Sequence, residues 1–119
     1  MHENILICIE NLEEAKILKK TIESMGRCAE VTSRAIECVQ KISNKKYLCV
    51  ILDAELRGMG VHAIVSVIRR IDPLIPIIVT SIDAGAERLI IQGVDPSYCI
   101  NKPIDPKDLE KTIAKIASF

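Results

Sequence analysis

Four polar residues, Glu10, Asp53, Thr80 and Lys102, each stand at the end of an apolar run. Ile5 to Ile9 stops on Glu10, Val50-Ile51-Leu52 on Asp53, Ile75 to Val79 on Thr80, and Tyr98 to Ile100 runs out just before Lys102. A buried strand that ends on a polar group delivers it to one edge of a sheet, and in open α/β sheets the carboxyl edge is where ligands bind. Singly, each has a plain structural role: a loop carboxylate, a turn cap, a strand-ending hydroxyl, a surface charge. Together they suit the capture of a phosphoryl group on a carboxylate. Asp53 would be the nucleophile, two carboxylates would hold a hard divalent cation, a lysine would pair with one phosphoryl oxygen, and a hydroxyl would bond another.

That convergence requires parallel strands joined by helices. Ile5 to Ile9 is apolar on both alternating faces, which suits a strand covered on both sides. Asn11, with Glu14 three residues on, is a cap for a first helix bearing Ala15, Leu18, Ile22 and Met25 up to Gly26. Cys28 to Val31 reads as a short second strand near an edge. Ala35, Val39 and Ile42 stripe a second helix before the turn Ser43-Asn44-Lys45-Lys46. Tyr47 to Leu52 is the central strand. After a loop from Asp53 to Gly60, the positions Val61, Ile64, Val65, Ile68 and Ile71 form one face of a third helix, closed by Asp72-Pro73.

A fourth strand over Ile75 to Val79 leads to a short fourth helix, capped by Asp83 and reaching Gln92, which Gly85 weakens. A fifth strand over Tyr98 to Ile100 follows. Asp105 as cap and Pro106 at the first helical position then open a fifth helix with Leu109, Ile113 and Ile116 inward. Strands alternating with helices at this spacing predict a three-layer, doubly wound α/β domain of the (βα)5 type over residues 1–119.

Composition limits the partners. Sixteen basic residues balance sixteen acidic ones and aromatics make up 3% of the chain, so neither a cationic field nor a stacking platform for nucleic acid is expected. No apolar stretch approaches the roughly 18 residues that suggest a membrane span, and the N-terminus lacks a secretory pattern, so a cytoplasmic location is expected. Five cysteines without a C-x-x-C pair point to reduced thiols rather than a disulfide framework or zinc site. Cys8 ends a first strand, as a phosphocysteine would, but Ile9-Glu10-Asn11-Leu12 is the wrong chemistry for a phosphate cradle. The same residues exclude a flavin phosphate site. His62 falls on a helix surface.

The chain resembles the receiver domain of two-component response regulators, with the chemotaxis-type single receiver as its simplest form. The resemblance covers essentially the whole chain. It is carried by Ile5-Leu6-Ile7-Cys8-Ile9-Glu10-Asn11, by Leu52-Asp53 followed by Leu56-Arg57-Gly58-Met59, by Pro76-Ile77-Ile78-Val79-Thr80-Ser81, and by Asn101-Lys102-Pro103. It implies a flavodoxin-like five-stranded parallel sheet of order 2-1-3-4-5. It also implies Asp53 as phosphoacceptor, Thr80 as switch hydroxyl and Lys102 as the phosphate-pairing lysine. Glu10, Asp53 and the backbone carbonyl of Glu55 would be ligands of Mg²⁺, and Lys102-Pro103 a cis peptide. The implied partners are a histidine kinase or phosphotransferase and a downstream protein target. The target would read a face made by the fourth helix, fifth strand and fifth helix, through which a weak homodimer is also open. Such a domain is not an enzyme beyond self-catalysed phosphoryl transfer and autodephosphorylation.

Several positions depart from the family pattern. Ile9 stands where the first of two adjacent acids is usual, and Glu10 is one methylene longer than the usual second, which weakens or removes the expected Mg²⁺ site. Arg57 replaces a proline in the loop after the acceptor. Cys99 stands where an aromatic is frequent, with Tyr98 one place earlier and therefore expected on the opposite face of the strand. Two readings remain open: a phosphorylated receiver, and a degenerate receiver that works as a phosphorylation-independent protein-protein interaction module.

Overall fold

The short apolar runs pair side by side in a computed structural model that describes residues 4–82, 92–95 and 98–118. In chain order the elements are β1 (Ile5–Cys8), α1 (Leu12–Ser24), β2 (Ala29–Thr32), α2 (Ala35–Asn44) and β3 (Cys49–Asp53). They continue with α3 (Val61–Ile71), β4 (Ile77–Ser81), β5 (Cys99–Asn101) and α4 (Pro106–Ala117). The strands form one parallel sheet in the order β2-β1-β3-β4-β5, as expected. Four helices are seen among the described residues. The one expected to begin at Asp83 lies outside them except for Gln92, which stands in a turn.

Local chemistry accounts for the boundaries. Asn11 Oδ1 accepts hydrogen bonds from the backbone N–H groups of Glu13 and Glu14 at 3.0 and 3.1 Å, and Asp105 does the same for Lys107 at 2.9 Å, so α1 and α4 start where the caps predict. Gly26, at φ 79°, turns the chain out of α1. Every strand is offset from the sequence reading by one or two residues at one or both ends, and α2 is longer. The helix α2 runs on through Ser43 and Asn44, with Ser43 Oγ bonding back to the Val39 carbonyl at 2.9 Å. The strand β4 begins at Ile77 because Pro76 has no N–H to donate to a ladder, although its carbonyl still accepts from Val50 at 3.1 Å.

Side chains alternate across the sheet and bury two clusters. On one face Ile5, Ile7, Ile9, Cys49, Ile51, Ile78 and Ile100 pack against Leu18 and Ile22 of α1 and Leu109, Ile113 and Ile116 of α4. On the other, Leu6, Cys8, Val50, Leu52, Ile77 and Val79 pack against α2 and α3. Tyr98 packs with the first cluster and Cys99 with the second, the opposite-face placement expected of neighbours in a strand. With β5 registered so that Cys99 pairs with Val79, no residue shift returns an aromatic to the Cys99 position.

Candidate functional site

The inward row on the α1–α4 face contains Ile7, Ile51 and Ile78. Two residues further along β1, β3 and β4, on the same face by the strand period, come Ile9, Asp53 and Thr80; Ile100 of β5 stands opposite Thr80, and Lys102 follows two residues beyond Ile100. Asp53 and Thr80 are direct strand partners. The ladder continues past them, with Ala54 N–H bonding the Thr80 carbonyl at 2.8 Å and Lys102 N–H bonding the Ser81 carbonyl at 3.0 Å. The sheet itself thus fixes Asp53 and Thr80 side by side and brings Lys102 to the same edge, two residues beyond their level.

Asp53 is 5% exposed, and its Oδ1 accepts a hydrogen bond from Lys102 Nζ at 2.9 Å and from the Glu55 N–H at 3.0 Å. Glu14 Oε2 and Glu55 Oε2 stand 3.5 and 3.8 Å from the same ammonium. Burial pushes the Asp53 carboxyl up, but hydrogen bonds from Glu55 and Lys102 and the lysine's charge outweigh it, leaving its pKa below the ordinary value. Burial likewise pulls Lys102 down, and Asp53, Glu14 and Glu55 more than compensate, so its pKa is raised. Asp53 is therefore an anion at neutral pH, held within reach of a fixed cation. Thr80 Oγ1 is fully buried and has no hydrogen-bond partner among the described residues, a donor and acceptor left in reserve beside the carboxylate. The Lys102-Pro103 peptide is cis, as the resemblance implies.

The acidic side of the cleft differs from the row. Ile9 is completely buried in the core beside α1, so the β1 position of the row is apolar. Glu10, one residue on, is exposed at the rim, its Oε2 3.5 Å from Arg57 Nε. Mg²⁺ needs near-octahedral oxygen ligands at about 2.0–2.1 Å. Among the described residues no three His, Cys, Asp or Glu side chains are grouped to hold a metal ion. With Glu10 turned to Arg57 and Asp53 turned to Lys102, the expected ligand set does not fit the ion as arranged.

The cleft has a volume of about 500 Å³ and is lined by Glu10, Asn11, Glu14, Asp53, Glu55, Arg57 and Lys102. Glu14, expected only in the cap of α1, does bond Asn11 through its backbone N–H, and its carboxylate also reaches Lys102. Its position in the first turn after β1, at the same edge as Asp53, was the available signal. The Glu55 side chain, of which the resemblance implies only the backbone carbonyl, also faces the lysine. Cys8 is fully buried in the cluster on the opposite face from Asp53, and His62 is exposed on α3, so neither joins the site.

A family model for the response regulator receiver domain matches residues 5–114. No curated protein matches the chain by sequence. Among solved structures, the chain superposes with a TM-score of 0.85 on the receiver domain of a sensor histidine kinase from Pseudomonas aeruginosa. That structure has a magnesium ion coordinated in its active-site cleft, with 15% identity and all of both chains covered. The receiver domain of a Francisella response regulator gives 0.85 at 17% identity over 98% of each chain. A CheY-like receiver domain from Methylobacillus flagellatus gives 0.81 at 18% identity, over 98% of this chain and 99% of its own. At such identities the structures speak for the fold, while the match of the family model over most of the sequence makes this chain a member of the response regulator receiver domain family.

Proposed function

We propose that this receiver domain takes a phosphoryl group onto a carboxylate oxygen of Asp53 from a phosphohistidine on a histidine kinase or phosphotransferase. The N–P bond to the partner's imidazole breaks, an O–P bond to Asp53 forms, and the imidazole, protonated on its other ring nitrogen, leaves neutral with the electron pair of the broken bond. The observation that supports this reading is the pairing of Asp53 with Thr80 at the sheet edge, with Lys102 Nζ 2.9 Å from the acceptor. The ammonium would pair with a phosphoryl oxygen and the unpartnered Thr80 hydroxyl would turn to bond another. Movement of Thr80 would then be felt at β5 and α4, on the face that a downstream protein reads.

Glu10, Asp53 and the Glu55 carbonyl would take Mg²⁺ only after Glu10 has left Arg57. That pairing and the buried Ile9 favour a second reading, in which the domain works in the cytoplasm through protein contact without regulated phosphorylation. One experiment separates the two. The protein is incubated with acetyl phosphate or phosphorylated kinase, with and without Mg²⁺, and its intact mass is read. An adduct that is lost in Asp53→Asn supports the acceptor role. No adduct from any donor leaves the second reading.

A further inference from the structure

Glu55 lies two residues beyond the acceptor, and its carboxylate is engaged at both oxygens. Oε1 accepts a hydrogen bond from Ser81 Oγ at 3.2 Å and another from the Ile82 N–H at 2.9 Å. Oε2 faces Lys102 Nζ at 3.8 Å, and the backbone N–H of the same residue donates to Asp53 Oδ1 at 3.0 Å. One residue in the loop after β3 therefore ties the ends of β4 and β5 to the acceptor. A hydroxyl, a backbone N–H and an ammonium converging on a carboxylate are the donors that bind an external oxyanion.

A phosphoryl group on Asp53 would carry about −1.5 to −2 charges and three acceptor oxygens into that space. It would compete with Glu55 for Lys102 and repel the carboxylate. We propose that Glu55 is the resident anion of the acceptor cleft: a positioning residue that latches the β3–α3 loop onto β4 and β5 and must release Ser81, Ile82 and Lys102 before a phosphoryl group is retained. The proposal rests on Asp53 being the acceptor. It assigns the cleft an occupied resting state within the chain itself, and makes release of the loop a requirement for capture.

The test uses the full chain with Glu55→Gln, which keeps the shape but loses the charge, and Glu55→Ala, which loses both. Without any donor, the Ile82 amide resonance is followed by NMR. It is expected to move well beyond the amides of α2 in Glu55→Ala and by less in Glu55→Gln. An Ile82 amide that stays in place in both variants overturns the latch whatever happens at Asp53. With acetyl phosphate, the rate of adduct formation by intact mass is expected to rise about tenfold in Glu55→Ala, the scale of losing a charge-assisted hydrogen bond, with Glu55→Gln between it and the parent. Equal rates in all three proteins overturn this proposal alone. An adduct in none of them overturns the acceptor reading and this proposal with it.

Discussion

Lys102 Nζ lies 2.9 Å from Asp53 Oδ1, joining the ends of two strands that are not neighbours in the sheet, with Thr80 between them. The folded pKa of Asp53 is lowered, so the pair's contribution is present above the ordinary carboxylate range and is lost as pH falls through the folded value. The pKa of Lys102 is raised, so the same contribution is present below the ordinary ammonium value and is lost as pH rises through the folded one. In Lys102→Met the burial of Asp53 remains while its counter-charge goes. Its carboxyl pKa is then expected to rise, read by carbon NMR of the side chain. A pKa equal to that of the parent would mean that Lys102 does not hold Asp53 in solution.

Thr80 carries a buried hydroxyl without a hydrogen-bond partner among the described residues. Replacing it with the isosteric valine removes an unsatisfied polar group, and the folded state is expected to gain about 1–3 kcal/mol. The urea midpoint measures this. A midpoint that falls would show that the hydroxyl is bonded in solution. In the same variant the response of β5 and α4 resonances to a phosphodonor should be lost.

Arg57 holds Glu10 at the rim across an exposed gap of 3.5 Å. Exposed pairs contribute roughly 0.2–1 kcal/mol, so Arg57→Ala should strengthen divalent cation binding by only about 1.5- to 5-fold. Titration with Mn²⁺, read as paramagnetic broadening of the Asp53 and Glu55 amides, gives the affinity directly. Broadening at the same concentration in parent and variant would exclude Arg57 as a competitor.

Ile9 has the position in the row that an acid would need, and it is fully buried among Leu18, Ile22 and Ile51. Truncation to alanine should cost about 2–5 kcal/mol, as for other buried aliphatic side chains. A chemical denaturation curve showing a loss below 1 kcal/mol would mean that this end of the core is loosely packed.

Glu30 anchors the edge of the sheet away from the cleft, with its carboxylate accepting from Lys41, Tyr47 and Asn4 and paired with Lys45. The hydrogen bond from Lys45 lowers its pKa most, and overcomes burial with help from Lys41 and Tyr47, to about 2 from 4.5. A lowered carboxyl stabilises the fold above about 4.5, and that contribution fades as pH falls towards about 2. In Glu30→Gln the stability profile should be flatter across that window while starting lower at neutral pH. An unchanged slope would assign the acid sensitivity to other carboxylates.

Much of this protein is legible in its sequence because the relevant information is local. Period-two and period-3.6 patterns, Asn11 and Asp105 as caps and the apolar runs themselves specify where strands and helices lie. Alternation with short connections leaves little besides a parallel sheet. Each strand that ends on a polar residue must also deliver it to the same edge, so Asp53, Thr80 and Lys102 could be grouped before any coordinates. Side-chain direction beyond the strands is not local. Glu14, Glu55, Arg57 and Glu10 occupy loops or helix starts where no ladder imposes an orientation, and their partners lie on other elements. Lys102 pairs with Glu14 across 88 positions of sequence, and Ser81 with Glu55 across 26. Only the folded packing, which buries Ile9, half-buries Lys102 and leaves Glu10 at the rim, decided which carboxylates surround the lysine and which one faces Arg57.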